Sequence, residues 1–268
     1  MLEYKYQIYV PSGNDTALVF GNNYSREDII RINDLIMSEH ANVEQVGFVS
    51  DEPKRHVFFM AGGGFCGNGT RAAVCHFLRG MPDNIRITIP DVFDGLSAGI
   101  TKNHDVWTCV PLQSKSKITE IEDGFYLVEM IGVTHIIVSP EKSKQFLTKA
   151  QDLLTVSKSI LLNYNLLDYS SCGVVFQSGL ADSVCIHPFV HDIGVDTMIA
   201  ETACGSGTVA TAMVKSYLEN SNVTIPVIQP SGHIIKAEIE YNGFEFTKAV
   251  ISGKVVSDGV IYTRSLPT

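Results

Sequence analysis

"AGGGFCGNGT", residues 61–70, admits two readings that lead to different folds. Taken as Gly62-x-Gly64-x-x-Gly67, it fits the glycine fingerprint of a dinucleotide-binding turn. Taken as Cys66-Gly67-Asn68-Gly69-Thr70, it sets a cysteine at the start of a helix. The second form recurs about half a chain length later, as Cys204-Gly205-Ser206-Gly207-Thr208. A nucleotide fold would need the glycines to follow the first strand of a βαβ unit, with an acidic residue about twenty positions on. Asp83 is near enough by count, but the surrounding pattern is strand-rich and the second copy lacks the extra glycines. The duplicated C-G-x-G-T is the more specific reading, and it disfavours a nucleotide-dependent oxidoreductase.

The repeat predicts two similar halves, each presenting one cysteine. Strand signals dominate: "YKYQIYV", "HVFFM", "IRITI", "GVVFQS", "SVCIHPFV" and "IKAEIEY" are short, β-branched or aromatic, and bounded by turn residues. Helices are expected in "SREDIIRINDLIMSEH", where Ser25 and Asp28 have capping-box-like spacing, and from Pro140 into "EKSKQFLTKAQDLL". Two more begin at the glycine turns, "GTRAAVCHFLRG" and "GTVATAMVKSYLEN". Both are small or apolar around most of their circumference, so they should be enclosed by other elements. The polar stretch "PLQSKSKITE" marks the boundary. It divides residues 1–117 from 118–257, with a last strand, about 258–268, expected to return to the first half.

The 268 residues are 45% hydrophobic and 18% charged, enough for a well-buried core. The formal net charge of -9 disfavours nucleic acid and anionic membranes as partners, because both attract positive surfaces. There is no uninterrupted apolar run of membrane-spanning length, and the opening "MLEYKYQIYV" lacks the features of a signal peptide. The expectation is a cytoplasmic protein acting on a small molecule, with room for a homodimer. None of the six cysteines forms a C-x-x-C pair or matches histidines at zinc-finger spacing, so no metal is expected and the thiols should be reduced.

Glycines at a helix start let backbone N–H groups converge on an anion, which the helix dipole also favours. A cysteine placed there should have its thiol pKa lowered from about 8.5 toward neutrality. Two such turns can hold a thiolate and a thiol about one bound carboxylate, as a racemase without a cofactor requires. One sulfur removes the α-proton and the other returns a proton on the opposite face. Backbone N–H groups would steady the carbanion.

"FCGNGTRAA" and "TACGSGT", with "PSGND" near the start and "IQPSGHI" near the end, resemble the diaminopimelate epimerase superfamily of cofactor-independent two-cysteine racemases and epimerases. The resemblance spans essentially the whole chain. It implies an α+β fold of two pseudo-symmetric domains, each a β-barrel-like sheet around a central helix, with the active site in the cleft between them. It implies Cys66 and Cys204 as the acid/base pair, Gly67, Asn68, Gly205 and Ser206 as carboxylate contacts, and Asn14 as a lining residue. It implies no pyridoxal phosphate and no other cofactor.

Diaminopimelate epimerase itself carries an Arg shortly before its second cysteine, for the distal carboxylate of its substrate. Here no Lys or Arg occurs between Ser159 and Val214. The Gly-Asn-Pro-His motif of that enzyme reads Gly132-Val133-Thr134-His135. A buried distal carboxylate without a cation is costly, which disfavours diaminopimelate. "YVPSGNDTALV", "VEQVGFVS" and "ETACGSGT" more closely resemble the histidine racemases of the superfamily, including those that provide D-histidine for staphylopine-type metallophores. That resemblance implies Glu44 as a contact for the imidazole. Glu201, three positions before Cys204, is a candidate for the substrate ammonium. Arg71 is read as neutralising a nearby carboxylate, His76 and His135 as packing residues, and the other four cysteines as buried spectators. The alternatives are diaminopimelate epimerase, another isomerase of the fold, and a non-catalytic carboxylate-binding protein.

Overall fold

A computed structural model describes residues 2–21, 23–50, 55–90, 92–112, 117–148, 152–179, 183–193 and 197–266. In chain order its first part runs β1 (Leu2–Pro11), β2 (Asp15–Phe20), α1 (Arg26–Glu39), β3 (Val43–Val49), β4 (Phe58–Met60), α2 (Gly67–Phe77), β5 (Asp83–Ile89), β6 (Val92–Ile100) and β7 (Val106–Cys109). Then come β8 (Lys117–Glu122), β9 (Phe125–Met130), β10 (Val133–Val138), α3 (Pro140–Leu147), α4 (Leu153–Asn163), β11 (Ser171–Ser178), β12 (Val184–Asp192) and β13 (Thr197–Ala200). The chain closes with α5 (Gly205–Glu219), β14 (Val223–Ile228), β15 (Ile234–Tyr241), β16 (Phe246–Gly253), β17 (Val255–Ser257) and β18 (Tyr262–Leu266). The fold is α+β, in two compact units, Met1–Cys109 with Ser252–Thr268 and Val110–Ile251. Residues 113–116, within the polar stretch expected at the boundary, lie outside the described residues.

In the first unit, β17, β1, β2, β3 and β4 form one sheet, with β18 also pairing to β1, while β5, β6 and β7 form an antiparallel meander. Alternation sorts the strand side chains onto two faces. Tyr6, Ile8, Ala17, Val19 and Phe48 pack with Ile29, Ile32 and Ile36 of α1. Tyr9, Leu18 and Val49 face the other way and pack with Ala72, Ala73 and Val74 of α2. That same cluster takes in Ile87, Leu96, Ala98 and Val106 of the meander, so α2 has sheet on both sides. Its small, apolar circumference is the reason it fits there.

In the second unit, β8 to β12 continue through β14, β15 and β16, with β13 on β12. The one-residue alternation along β11 is informative. Val174 and Phe176 pack toward α4 in a cluster with Ile160 and Leu161. Val175, between them, lies against the first turn of α5. The expected helix from Pro140 ends at Leu147, and a second begins at Leu153, because Asp152 caps it by accepting from the Leu154 N–H at 3.1 Å. Residues 149–151 lie outside the described residues. No described helix is long and apolar enough to cross a membrane.

Candidate active site

The two C-G-x-G-T stretches fold alike. Cys66 caps α2 with φ -126 and ψ 117, and Cys204 caps α5 with φ -121 and ψ 108. Each sulfur accepts the N–H of the glycine three residues on, Gly69 at 3.3 Å and Gly207 at 3.1 Å. Each threonine hydroxyl donates back to its cysteine carbonyl, at 2.7 Å from Thr70 and 2.6 Å from Thr208. The glycines are needed for room. A Cβ on Gly69 would sit 2.8 Å from Met60 Sδ and from the Phe58 ring, and one on Gly207 would sit 3.0 Å from Cys204 Sγ.

Around the first turn the unit gathers Asn14, Glu44 and Cys66, with one residue the sequence reading passed over. The Cys66 thiol donates to Gln45 Oε1 at 3.1 Å. Gln45 Nε2 donates to Asn14 Oδ1 and, at 2.7 Å, to Thr16 Oγ1, while Asn14 Nδ2 donates to Glu44 Oε2 at 2.7 Å. A bulge makes this convergence. Asp15 pairs with Val43 and Thr16 with Gln45, so Glu44 is the extra residue and both neighbours reach Asn14 from one side. Strict alternation would have sent them to opposite faces. Asn68 is buried, on the turn after Cys66 and Gly67.

The second turn brings together Glu201, Cys204, Gly205 and Ser206. Gln229, in "IQPSGHI", accepts the Cys204 N–H at 2.9 Å and donates to Thr208 Oγ1 at 3.0 Å, which gives that motif a physical role. Ser206 Oγ lies 3.4 Å from the sulfur and 2.8 Å from His135 Nε2. His135 was expected only to pack, and the structure adds this contact with the site. Burial drives its pKa down to about 4, so it is neutral near pH 7. Gly173 makes its place, since a Cβ there would sit 2.7 Å from Nδ1.

Helix starts lower thiol pKa values, yet Cys204 departs from that expectation. Burial pushes its thiol well above the ordinary value, and the charge and hydrogen bond of Glu201 push the same way. The Ser206 hydroxyl and the Gly207 N–H oppose the shift without overcoming it. Cys204 is 2% exposed, whereas Cys66 is half-buried. Among the described residues, no group of three His, Cys, Asp or Glu side chains is placed to hold a metal ion.

The chain is similar to known racemases and epimerases over most of its length. The chain is 26% identical over 266 residues to a histidine racemase of Fusobacterium nucleatum subsp. nucleatum, covering 94% of each chain. It is 25% identical over 239 residues to a histidine racemase of Staphylococcus aureus, covering 85% of each. Its fold is similar to that of a hydroxyproline epimerase from Agrobacterium vitis, with a TM-score of 0.67 at 12% identity, over 97% of this chain and 92% of that one. The protein is thus an isomerase of the amino-acid racemase class. The model of the histidine racemase CntK N-terminal domain matches residues 3–262, and the chain belongs to that family.

Proposed function

We propose that the protein interconverts L- and D-histidine without a cofactor, using Cys66 and Cys204 as a two-base pair. The observation that carries this reading is the duplicated turn, in which a cysteine sulfur sits at a helix start within reach of backbone N–H groups. The named histidine racemases among its relatives support the substrate. In one direction the Cys66 thiolate takes the proton from the α-carbon, leaving the electron pair in an enediolate-like carbanion. The Cys204 thiol then gives its proton to the opposite face, forming the other enantiomer and a Cys204 thiolate. Solvent exchange returns the proton balance, and reversed roles run the reverse reaction.

The N–H groups following each cysteine, at Gly67 and Asn68 and at Gly205 and Ser206, suit a carboxylate and its negative intermediate. Glu44, fixed by Asn14, suits an imidazole N–H. Glu201 accepts from the Cys204 thiol and keeps it protonated until the carbanion forms; its charge also suits the substrate ammonium. The reading takes the diaminopimelate epimerase-like fold of two pseudo-symmetric domains, each carrying one of the turns. Production of D-histidine for a metallophore is the pathway suggested by the resemblance, and a cytoplasmic setting fits the reduced thiols.

The test is incubation of reduced protein with L-histidine, and separately with diaminopimelate, in deuterated water. NMR follows α-proton loss and chiral chromatography follows the product. Exchange with formation of D-histidine is expected. Exchange with diaminopimelate alone would overturn the substrate assignment, and binding without exchange would point to a carboxylate-binding protein.

A further inference from the structure

The two turns differ at one position in a way the mechanism above does not use. Aligned on C-G-x-G-T, the next residue is Arg71 in the first copy and Val209 in the second. Both are fully buried. Arg71 Nη2 donates to Ser12 Oγ at 3.1 Å, while its Nε and Nη1 have no hydrogen-bond partner among the described residues. An arginine read from sequence as neutralising a carboxylate therefore has no carboxylate salt-bridged to it among the described residues. Burial lowers its pKa, but only to about 10, so it remains a cation at neutral pH. A buried cation without a counter-charge is costly, and a protein retains one where a negative charge is to be held.

Two groups act on that cation electrostatically, Cys66 first and Asp105 second. Asp105 is already paired with Lys254 at 2.9 Å, and both are partly exposed. That leaves the sulfur. Arg71 and Cys66 lie on the same end of α2 and are tied to the same turn, Arg71 through Ser12 and Cys66 through Gln45 and Asn14. We infer that Arg71 is the counter-ion of the Cys66 thiolate, a positioning residue that makes Cys66 the resting base and leaves Cys204 the resting acid. The inference rests on the two-cysteine reading and deepens it.

The remaining titratable groups of the elements around α2 fit this assignment. Glu44, on β3, is held by Asn14, which stands between it and Gln45. Asp15, on β2, has its pKa raised by burial and by Asp258, which follows β17. Tyr9 of β1 meets His76 at the far end of the helix, beside Cys75, whose pKa is raised by burial. Gln45 serves either state of the sulfur. Its oxygen accepts from the thiol, and a rotated amide would donate to the thiolate.

The test is site-resolved alkylation by iodoacetamide across pH, read by mass spectrometry at the Cys66 and Cys204 peptides of the full chain. Cys66 should react as a thiolate at neutral pH and Cys204 only in strong alkali. In Arg71→Gln, alkylation of Cys66 at pH 7 should fall about tenfold as its midpoint moves up by about one unit, with Cys204 unchanged; Arg71→Lys should restore it. An ordinary midpoint near 8.5 for wild-type Cys66, or an unmoved midpoint in Arg71→Gln, would overturn the assignment. If Arg71→Gln does not fold, the wild-type and Arg71→Lys midpoints decide it. Because alkylation needs no substrate, failure of histidine exchange in deuterated water would sink the proposed reaction while leaving this result readable on its own.

Discussion

The two cysteine turns share a backbone and differ in everything charged around it. Both cysteines cap helices with similar dihedral angles, and each sulfur accepts the N–H of the glycine three residues on. The first is half-buried, beside amides and a buried guanidinium; the second is buried beside a carboxylate. Hydrogen bonds from a helix start are thus a common platform, and burial and neighbouring charge decide which protonation state it holds. The same backbone platform thus carries a half-buried sulfur in one turn and, in the other, a buried sulfur beside a carboxylate.

The largest effect expected from the proposed mechanism comes from removing either cysteine. Cys66→Ser and Cys204→Ser should each lower racemisation by about 10²–10⁴-fold, the range for a positioned proton-transfer group. The comparison sharpens if the two variants are assayed for exchange and racemisation separately. A variant that retains washout of the α-proton without inverting the centre would identify which sulfur serves which enantiomer. Substantial racemisation by either variant would break the two-base mechanism.

Sequence reading reached the paired turns because the repeat is covalent information: identical residues at identical spacing need identical backbone. It reached the enclosed character of α2 and α5 for a similar reason, since Ala, Val and Thr around a helix leave no face for water. What it missed was set by tertiary placement. Gln45 joins the site only because a bulge at Glu44 rotates it into line with Asn14, and nothing in "VEQVGFV" announces a bulge. His135 was read as packing because its partner Ser206 is 71 residues away. Arg71 was read as neutralising a nearby carboxylate, and its full burial with two nitrogens lacking a hydrogen-bond partner among the described residues is a tertiary fact that no sequence pattern announces. The start of α4 at Asp152 was passed over because a single capping aspartate is weak evidence before its contact with the Leu154 N–H is known.

The second turn should also be the acid-sensitive one. His135 titrates at about 4 in the folded chain against an ordinary value of 6.5. Below pH 6.5 the unfolded chain takes up a proton that the folded one refuses, so stability is lost progressively from 6.5 down to about 4 and then levels off. At about 1.4 kcal/mol per unit, that is roughly 2 kcal/mol by pH 5 and about 3 kcal/mol in full. Urea midpoints at pH 7 and pH 5 measure it. His135→Gln should flatten the difference between the two pH values, whatever its effect at pH 7. An unchanged difference would show that His135 is already protonated or that acid acts elsewhere.

Paired glycine substitutions separate room for the helix from room for the sulfur. In Gly69→Ala the new methyl meets Met60 Sδ and the Phe58 ring at 2.8 Å, atoms of the core cluster around α2. Overpacking of that kind costs about 1–3 kcal/mol, so the expected result is a lower melting temperature. In Gly207→Ala the nearest atom is Cys204 Sγ at 3.0 Å, followed by Val175 Cγ2 at 3.1 Å. These contacts are looser, so the stability loss should be the smaller of the two. The sulfur is the nearest atom, and its hydrogen bond from the residue 207 N–H is disturbed if it shifts. Gly207→Ala should therefore lose more activity per degree of melting temperature than Gly69→Ala, with the loss in kcat and little change in KM. Equal ratios in the two variants would mean that the glycines serve packing alone, and that the sulfur of Cys204 tolerates displacement without consequence for proton transfer.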